Sequence, residues 1–557
     1  MQPQASPRQA TLRRWRSMEN ERSTWLPAWR KLSEYLSPET GRFLTQDRNR
    51  AGKVTFGSIK DNTGQRALRI LAAGMMAGMT SPARPWFRLV TPDSALNERK
   101  PVKRWLDDVA VLMREVFARS NTYRALHSMY HELGVFGTAS SLILADYRDV
   151  LRHYPATAGE YCLALDARQE IATFYRQFDM TVEQMLGEFG REAVSQTVRN
   201  LADAGNLDAW VTVVHAVEPR KVRDASRRDS VNMPYASRYI ELGAADDKVL
   251  RESGFKSFPC VAPRWHALGG DIYGTGPGWM ALGDVKQLQH EQIRKAEGID
   301  YLTKPPLQLP AALRNAESNL LPGGLTYVDV ASSQSGIRSA FDTRIDLSHL
   351  LTDIQDVRAR VDRVFYADLF LMLANDTRSG ITATEVAERH EEKLLMLGPV
   401  MERLHNEMLM PLIEAAFSRM AEAKILPPPP QEMVGMDLTI EFVSTMAQAQ
   451  RAIGLAAVDR LLGTVSSLAQ IKPEALDKID ADAVVDGYAD AMGVDPDYIV
   501  GSEQVALIRK QRAEKAAAAE QAAMMQQTAQ TLQTASQADT SGQNALTGVM
   551  DMFSGYS

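Results

Sequence analysis

Apolar side chains recur every three or four residues along much of this chain, the spacing that lines one face of an α-helix. In residues 8–36, Leu12, Trp15, Met18, Arg22, Trp25 and Trp29 follow those steps and predict an amphipathic helix crossing Pro27 with a kink. Asp61 can cap a second helix through Met79, ended before Pro82. Residues 101–119 and 121–133 predict two more, the latter beginning at Asn121. From about 139 to 265, short runs rich in β-branched and aromatic residues take over: Ser141–Tyr147, Tyr161–Leu165, Ile171–Phe178, Trp210–Val217, Arg238–Leu242 and Ser257–Trp265. A helical interruption lies among them at Thr181–Asn200. This section predicts a small sheet packed on the N-terminal helices.

The breakers Gly274-Thr275-Gly276-Pro277-Gly278 then aim the chain into a helix over 278–303. Residues 304–346 differ, being punctuated by Lys304-Pro305-Pro306, Pro310 and Pro322-Gly323-Gly324. A second strongly periodic helix is predicted over 347–374. Leu347, Leu350, Leu351, Ile354, Val357, Val361, Val364, Phe365 and Leu369 form its stripe, with Asp353, Asp356, Arg360 and Arg363 off it. At about 1.5 Å per residue, each helix is roughly 35–40 Å long. Two matched helices around a compact insert make a hairpin-like stalk with a small head. After the polar break Asn375–Gly380 comes the longest periodic run, from Thr382 or Thr384 to Lys424, which Pro399 and Pro411 should bend. Pro427–Pro430 mark a boundary, a weaker helical stripe fills 444–510, and 503–536 favour helix by propensity. Residues 537–557 are expected to be disordered. The fold class is α+β, predominantly helical.

Composition changes this picture little. A length of 557 residues with 45% apolar residues allows several packed units and a sizeable core. No uninterrupted apolar run of about 18 residues occurs, so no membrane span is expected. The polar, basic N-terminus lacks the apolar core of a secretory signal. Two distant cysteines, Cys162 and Cys260, suggest neither a disulfide framework nor a zinc site, and fit a reducing cytoplasm. A net charge of −6 with mixed signs disfavours tight DNA binding, since phosphate neutralisation supplies most of that affinity. It leaves room for DNA passing a weakly interacting wall.

Catalytic spacings are missing. There is no GxxxxGK[ST] phosphate loop, no HExxH, no GxSxG and no EF-hand loop. His390-Glu391-Glu392 has no second histidine four positions on, so it reads as a solvated helix face. Pro277 removes a backbone donor that a phosphate cradle at 274–278 would need. His131, His215 and His266 read as core or boundary side chains, and Met75, Met76 and Met79 as core packing. A carboxylate set Asp353, Asp356 and Asp362 could serve a nuclease, but its helical spacing focuses it poorly. No catalytic residue, metal ligand or cofactor site is therefore assigned, and the chain is read as a non-enzyme.

The order of parts resembles the portal, or head-to-tail connector, family of short-tailed, podovirus-type bacteriophages across most of residues 8–430. Asp61-Asn62-Thr63-Gly64 with Ala67, Leu71-Ala72-Ala73-Gly74-Met75 and Pro85-Trp86-Phe87 look like the family's N-terminal signature. So do Pro263-Arg264-Trp265 and Tyr273-Gly274-Thr275-Gly276-Pro277. Thr382-Ala383-Thr384-Glu385-Val386, Arg389, Glu392, Leu397-Gly398-Pro399 and Arg403-Leu404 to Pro411-Leu412 are similar to its long helix. Motifs cannot be matched after Pro430.

The resemblance implies a portal fold around a central channel, in a ring of twelve subunits at one capsid vertex. Its parts would be a wing at 1–277, a stem helix at 278–303, a clip at 304–346 and a second stem helix at 347–374. A channel loop at 375–383, a long kinked wing helix at 384–424 and a helical crown at 425–536 would follow. It also implies a virion location, assembly in the host cytoplasm, and partners in the terminase large subunit, a tail adaptor, and the major capsid and scaffolding proteins. Double-stranded DNA would pass non-specifically. A ring needs lateral packing, for which Leu350, Ile354, Val357, Val361 and Val364 are the candidates. Arg378, on the break after the second helix, is the candidate DNA contact. The competing readings are another virion structural protein, of the tail or an internal scaffold, and a metal-dependent nuclease.

Overall fold

The computed structural model describes residues 6–43, 57–97, 99–227, 229–244, 247–304, 307–308, 338–339, 346–374, 397–433, 439–442, 458–469, 472, 474, 478–492, 500 and 502–536. The channel-loop segment with Arg378, the motif at 382–386, most of the proline-punctuated insert and the tail from 537 lie outside them. The chain divides into two units, one of residues 1–92 and 105–450, the other of 93–104 and 451–557.

In the first unit, α1 (Pro7–Ser23) and α2 (Leu26–Leu36) replace the single kinked helix expected over 8–36. Pro27 sits in the first turn of α2, where its missing N–H costs nothing, so the chain restarts a helix instead of bending one. Helix α3 (Thr63–Met79) is capped at Asn62, one residue after the expected Asp61. Asp61 still accepts the Thr63 N–H at 2.9 Å. Strand β1 (Phe87–Val90), α4 (Lys100–Arg119, of which 105–119 belong to this unit) and α5 (Thr122–Phe136) follow. Asn121 precedes α5 but does not cap it through its side chain. Its amide instead bonds both the N–H and the carbonyl of His153, each at 2.8 Å, acting as a short strand against a sheet edge.

The β section forms two sheets where one was expected. Strands β2 (Ser140–Asp146), β3 (Val150–Ala156) and β9 (Cys260–Val261) pair in the order β3-β2-β9. Strands β4 (Tyr161–Leu165), β5 (Ile171–Thr181), β6 (Trp210–Pro219), β7 (Tyr235–Glu241) and β8 (Arg251–Phe255) form an antiparallel meander in sequence order. The β3 run Val-Leu-Arg-His-Tyr-Pro-Ala carries a proline and an arginine, which hid it from a pattern search. One face of the meander receives α1: Trp15 stacks on Tyr175 at 6.2 Å and packs with Met18, Cys162 and Ala216. Helices α6 (Val182–Phe189) and α7 (Gln196–Asp203), the expected interruption, cover another cluster through Val182, Met185 and Val198.

Helix α8 (Pro277–Thr303) leaves the glycine cluster with Pro277 in its first turn. Strands β10 (Leu307–Gln308) and β11 (Arg338–Ser339) pair antiparallel, so the ends of the insert meet. The single helix expected over 347–374 is two, α9 (Ser348–Val364) and α10 (Ala367–Ala374). Tyr366, at φ 55°, adopts a left-handed conformation between them. The apolar period continues through this break, so periodicity could not reveal it. Further on, five residues, His405–Leu409, form a π-helical turn before α11 (Met410–Glu422). The widened turn accommodates Pro411, which has no N–H to give. Strand β12 (Thr439–Phe442) pairs with β1. In the second unit, a helix at 458–469, α12 (Ala481–Met492) and the long α13 (Ser502–Ser536) are described.

A junction of glycines joins α5 to α8. Gly137 ends α5 with φ +79°, and a Cβ there would stand 2.4 Å from the Thr275 carbonyl carbon. A Cβ on Gly276 would meet the Leu133 carbonyl oxygen at 2.6 Å, and one on Gly278 the Val135 oxygen at 2.5 Å. The approach lets Trp279 Nε1 donate to the Phe136 carbonyl at 2.8 Å, and Gly274 N to Thr138 Oγ1 at 2.7 Å. Gly137→Ala combines a left-handed backbone with a backbone clash, so it should lower unfolding free energy by about 2 kcal/mol or more. Urea unfolding followed by circular dichroism checks this; a loss no larger than that of Gly187→Ala, where a Cβ meets open space, would contradict it.

Candidate functional site

The two helices on either side of the insert, with the residues that hold them, form the candidate site. Facing pairs run Gly298 with Leu347, Glu291 with Asp353 and Asp284 with Arg360. Numbers fall along α8 as they rise along α9, so the helices are antiparallel. Their apolar seam is Leu288 with Ile354 and Val357, and Leu350 packs at its edge. Val361 is also fully buried, while Val364 and Leu350 are half-buried. The stripe proposed to meet neighbouring copies is thus used inside the chain. On α8, Met280, Ile293, Ile299, Tyr301 and Leu302 remain 40–76% exposed.

A buried carboxylate ties this pair to α3. Asp61, 3% exposed, accepts from Arg358 Nη2 at 2.6 Å and Nε at 3.1 Å, from Gln292 Nε2 at 3.0 Å, and from Thr63 Oγ1 at 2.5 Å. Gln289 completes the knot: its Oε1 accepts the Asp61 N–H at 2.8 Å, and its Nε2 donates to the Asp61 carbonyl at 3.0 Å. Burial alone would push the Asp61 carboxyl up. Hydrogen bonds from Thr63 and Arg358 outweigh it and hold the group below its ordinary value. Two α9 cations are paired as well, Arg358 with Asp61 and Arg360 with Asp284 at 3.4 Å, and α3 supplies Arg66 to Asp362 at 2.6 Å.

A second tie links the Pro263-Arg264-Trp265 segment to the π-helical turn. Arg264, 7% exposed, donates from Nη2 and Nε to the Glu407 carboxylate at 2.7 and 3.2 Å. Its own N–H donates there too at 2.9 Å, and Nη1 reaches the Asp271 carbonyl. The same segment bridges Gly137, because Trp265 N donates to the Gly137 carbonyl at 2.8 Å. Gly74 of α3 lies against α10, where a Cβ would stand 2.1 Å from Phe370 Cγ. Motif residues far apart in sequence therefore meet through the backbone contact and the two carboxylates. Sequence reading found the motifs but not these pairings.

The candidate carboxylates do not converge. Asp353 faces Glu291, Asp356 lies 3.8 Å from Arg360, and Asp362 pairs with Arg66. Burial lifts Glu291, the Gln287 amide at 2.6 Å opposes that, and Asp353 lifts it further. Among the described residues no group of three or more His, Cys, Asp or Glu could hold a metal. Both cysteines are buried; burial pushes the Cys162 thiol up to about 12, which keeps it protonated and inert. His215 stacks on Tyr239 at 3.9 Å and bonds Ser237, and burial holds it neutral. Burial also brings His131 down to about 4. His266 is exposed, with its backbone bridged to Thr275. Met75 and Met79 are core. Among the described residues no helix is long and apolar enough to cross a membrane.

Polar chemistry in this fold fixes helices in register, the arrangement of a structural assembly protein. The chain belongs to the bacteriophage head to tail connecting protein family, whose pattern it matches over residues 8–500. It is 58% identical over 550 residues to a probable portal protein of Bordetella phage BPP-1, covering 99% of each chain. It is 46% identical over 508 residues to the portal protein of Salmonella phage epsilon15, covering 91% of each. A chain from the virion of a native gene transfer agent particle aligns over 78% of this chain and 94% of its own, at 8% identity and a TM-score of 0.33.

Because Asp61 is depressed when folded, its contribution is complete above the ordinary aspartate value of 3.8 and is lost as pH falls through the lower folded value. Asp61→Asn should therefore destabilise most near neutral pH, and its gap from the parent should narrow below about pH 4. Denaturant titrations from pH 3 to 7 measure the gap; a gap that widens in acid would show that Asp61 is not the anchor.

Proposed function

We propose that this chain is a portal subunit. Copies form a ring at one capsid vertex, through whose channel double-stranded DNA is packaged and later ejected. The observation carrying this reading is the antiparallel α8–α9 pair, which emerges from a rigid glycine junction and projects an insert whose ends close through β10 and β11. Large apolar side chains left exposed on α8 supply lateral contacts for a ring. The kinship to proteins named portal proteins agrees with it.

In this reading α8 and α9 with α10 are the stem, 304–346 the clip, 375–383 the channel loop and 425–536 the crown. The wing is 1–277 together with the long helix of 384–424. The number of subunits is twelve. The clip docks the terminase large subunit during packaging and then the tail adaptor, while major capsid and scaffolding proteins surround the wing. Assembly takes place in the host cytoplasm. Arg66, Arg358 and Arg360 are neutralised by carboxylates within the chain, which suits a wall along which phosphates slide. Arg378 is the proposed transient DNA contact, and no cofactor is required.

Light scattering at micromolar concentration should give the mass of a closed ring, and negative-stain images a central channel. Ile293→Asp with Tyr301→Asp should shift the mass to monomer while circular dichroism stays unchanged. A parent chain that stays monomeric in several buffers would remove the ring. Replacing 304–346 by a short Gly/Ser link should keep the ring and abolish binding of both the terminase and the tail adaptor. Retention of both attachments would show that docking lies elsewhere.

A further inference from the structure

A cleft between the two sheets contains an arginine whose side chain has no hydrogen-bond acceptor among the described residues. Its volume is about 290 Å³, and it lies where β3, the edge of the three-stranded sheet, faces β5 of the meander. Arg152 and Tyr154 line it from β3, Arg176 and Phe178 from β5, and Asn121 and Glu160 at its margins. Arg176 is half-buried, and its guanidinium is held over two rings, 4.5 Å from the Phe178 centroid and 5.3 Å from that of Tyr154. Among the described residues its side chain makes no hydrogen bond and no ion pair, and its Nε is sealed from solvent without an acceptor.

That arrangement is costly for a structural arginine. A guanidinium carries five donors in a planar fork, and ring faces satisfy the charge without accepting the in-plane N–H groups. Leaving such donors unpaired in a half-buried site is unfavourable. Arg220 and Arg238 meet Glu252, and Arg264 meets Glu407, whereas Arg8 and Arg199 share with Arg176 a buried Nε without an acceptor. The acid of the cleft, Glu160, feels the charge of Arg176 but makes its ion pair and hydrogen bond elsewhere. It lies 3.2 Å from Arg42 and accepts the Thr157 N–H. Arg152 adds a second, exposed guanidinium at the mouth. The cleft thus holds two guanidinium groups, one pre-oriented by aromatic stacking, against one carboxylate already paired. A planar fork fixed by stacking loses little freedom on binding, which suits it to an oxyanion.

We propose that this cleft is a binding site for a doubly charged oxyanion of the phosphate type, with Arg176 as its fork and Arg152 as its second cation. The site does not depend on the portal reading, because none of its lining residues belongs to the α8–α9 pair.

Isothermal titration of the full chain with sodium phosphate, against sodium chloride of equal ionic strength, tests it. One phosphate should bind per chain, and Arg176→Gln should weaken binding by about tenfold or more, as loss of a charge-assisted fork implies. Arg152→Gln should weaken it less, and Arg227→Gln, paired with Asp229 on an exposed loop, should leave it unchanged. If Arg176→Gln fails to fold, Arg176→Lys keeps the charge, removes the fork and should also weaken binding. Phosphate heats equal to those of chloride, or unaltered by the Arg176 and Arg152 variants, would overturn the site. Acetate binding as tightly as phosphate would overturn its assignment to a dianion.

Discussion

The backbone contact at Gly137 sets the geometry on which the rest of the molecule depends. At that point the end of α5 and the start of α8 come within van der Waals range of each other, with no side chain between them. Three glycines of the 274–278 turn make room, and the left-handed Gly137 turns the chain out of α5 toward β2. Two long elements leave this one place: the strand leading into both sheets, and the helix leading to the insert. The angle between them is fixed by hard-sphere contact, which is far stiffer than a seam of flexible side chains. Aromatic packing reinforces it, with Trp25, Trp29 and Tyr273 in contact beside the junction.

Two carboxylates, Asp61 buried and Glu407 half-buried, then orient what the junction has placed. Asp61 holds α3, α8 and α9 together, and Glu407 holds the π-helical turn against the segment around Arg264. Such ties contribute less to net stability than their short distances suggest, because Asp61 and Arg264 give up most of their water to make them. Their contribution is directional. An apolar seam of Leu288, Ile354 and Val357 tolerates sliding by part of a turn, whereas a two-pronged guanidinium–carboxylate contact does not. The register of the α8–α9 pair gains from that rigidity. The π-helical turn fits this role, since it relieves Pro411 and presents Glu407 to Arg264.

Much of this was legible in the residues. Helices with a clear stripe, such as α3 and α8, and strands such as Tyr161–Leu165 lay at or near their expected limits. The strand β3 was not legible, because its proline and arginine are tolerated only at an edge, and edge position is a tertiary fact. The break at Tyr366 escaped notice for a related reason: a left-handed residue outside glycine leaves no trace in the apolar period. Likewise, the stripe of α9 was visible, but its partner was not. The helix that fills it is α8 of the same chain, and that choice needs the three-dimensional path of the insert.

By itself, the sequence determined which segments are helical or extended, where the breakers fall, and which motifs occur in which order. Those properties are local, being set by backbone sterics and by which face of an element is apolar. Only the tertiary structure decided why the motif residues are what they are. Gly74 must admit Phe370, Gly137 must admit the backbone of Thr275, and Asp61 must answer Arg358 across nearly three hundred positions. It also decided that Arg176, among the described residues, stacks on two rings and bonds no carboxylate, because pairing of charges depends on distances that no spacing along the chain encodes.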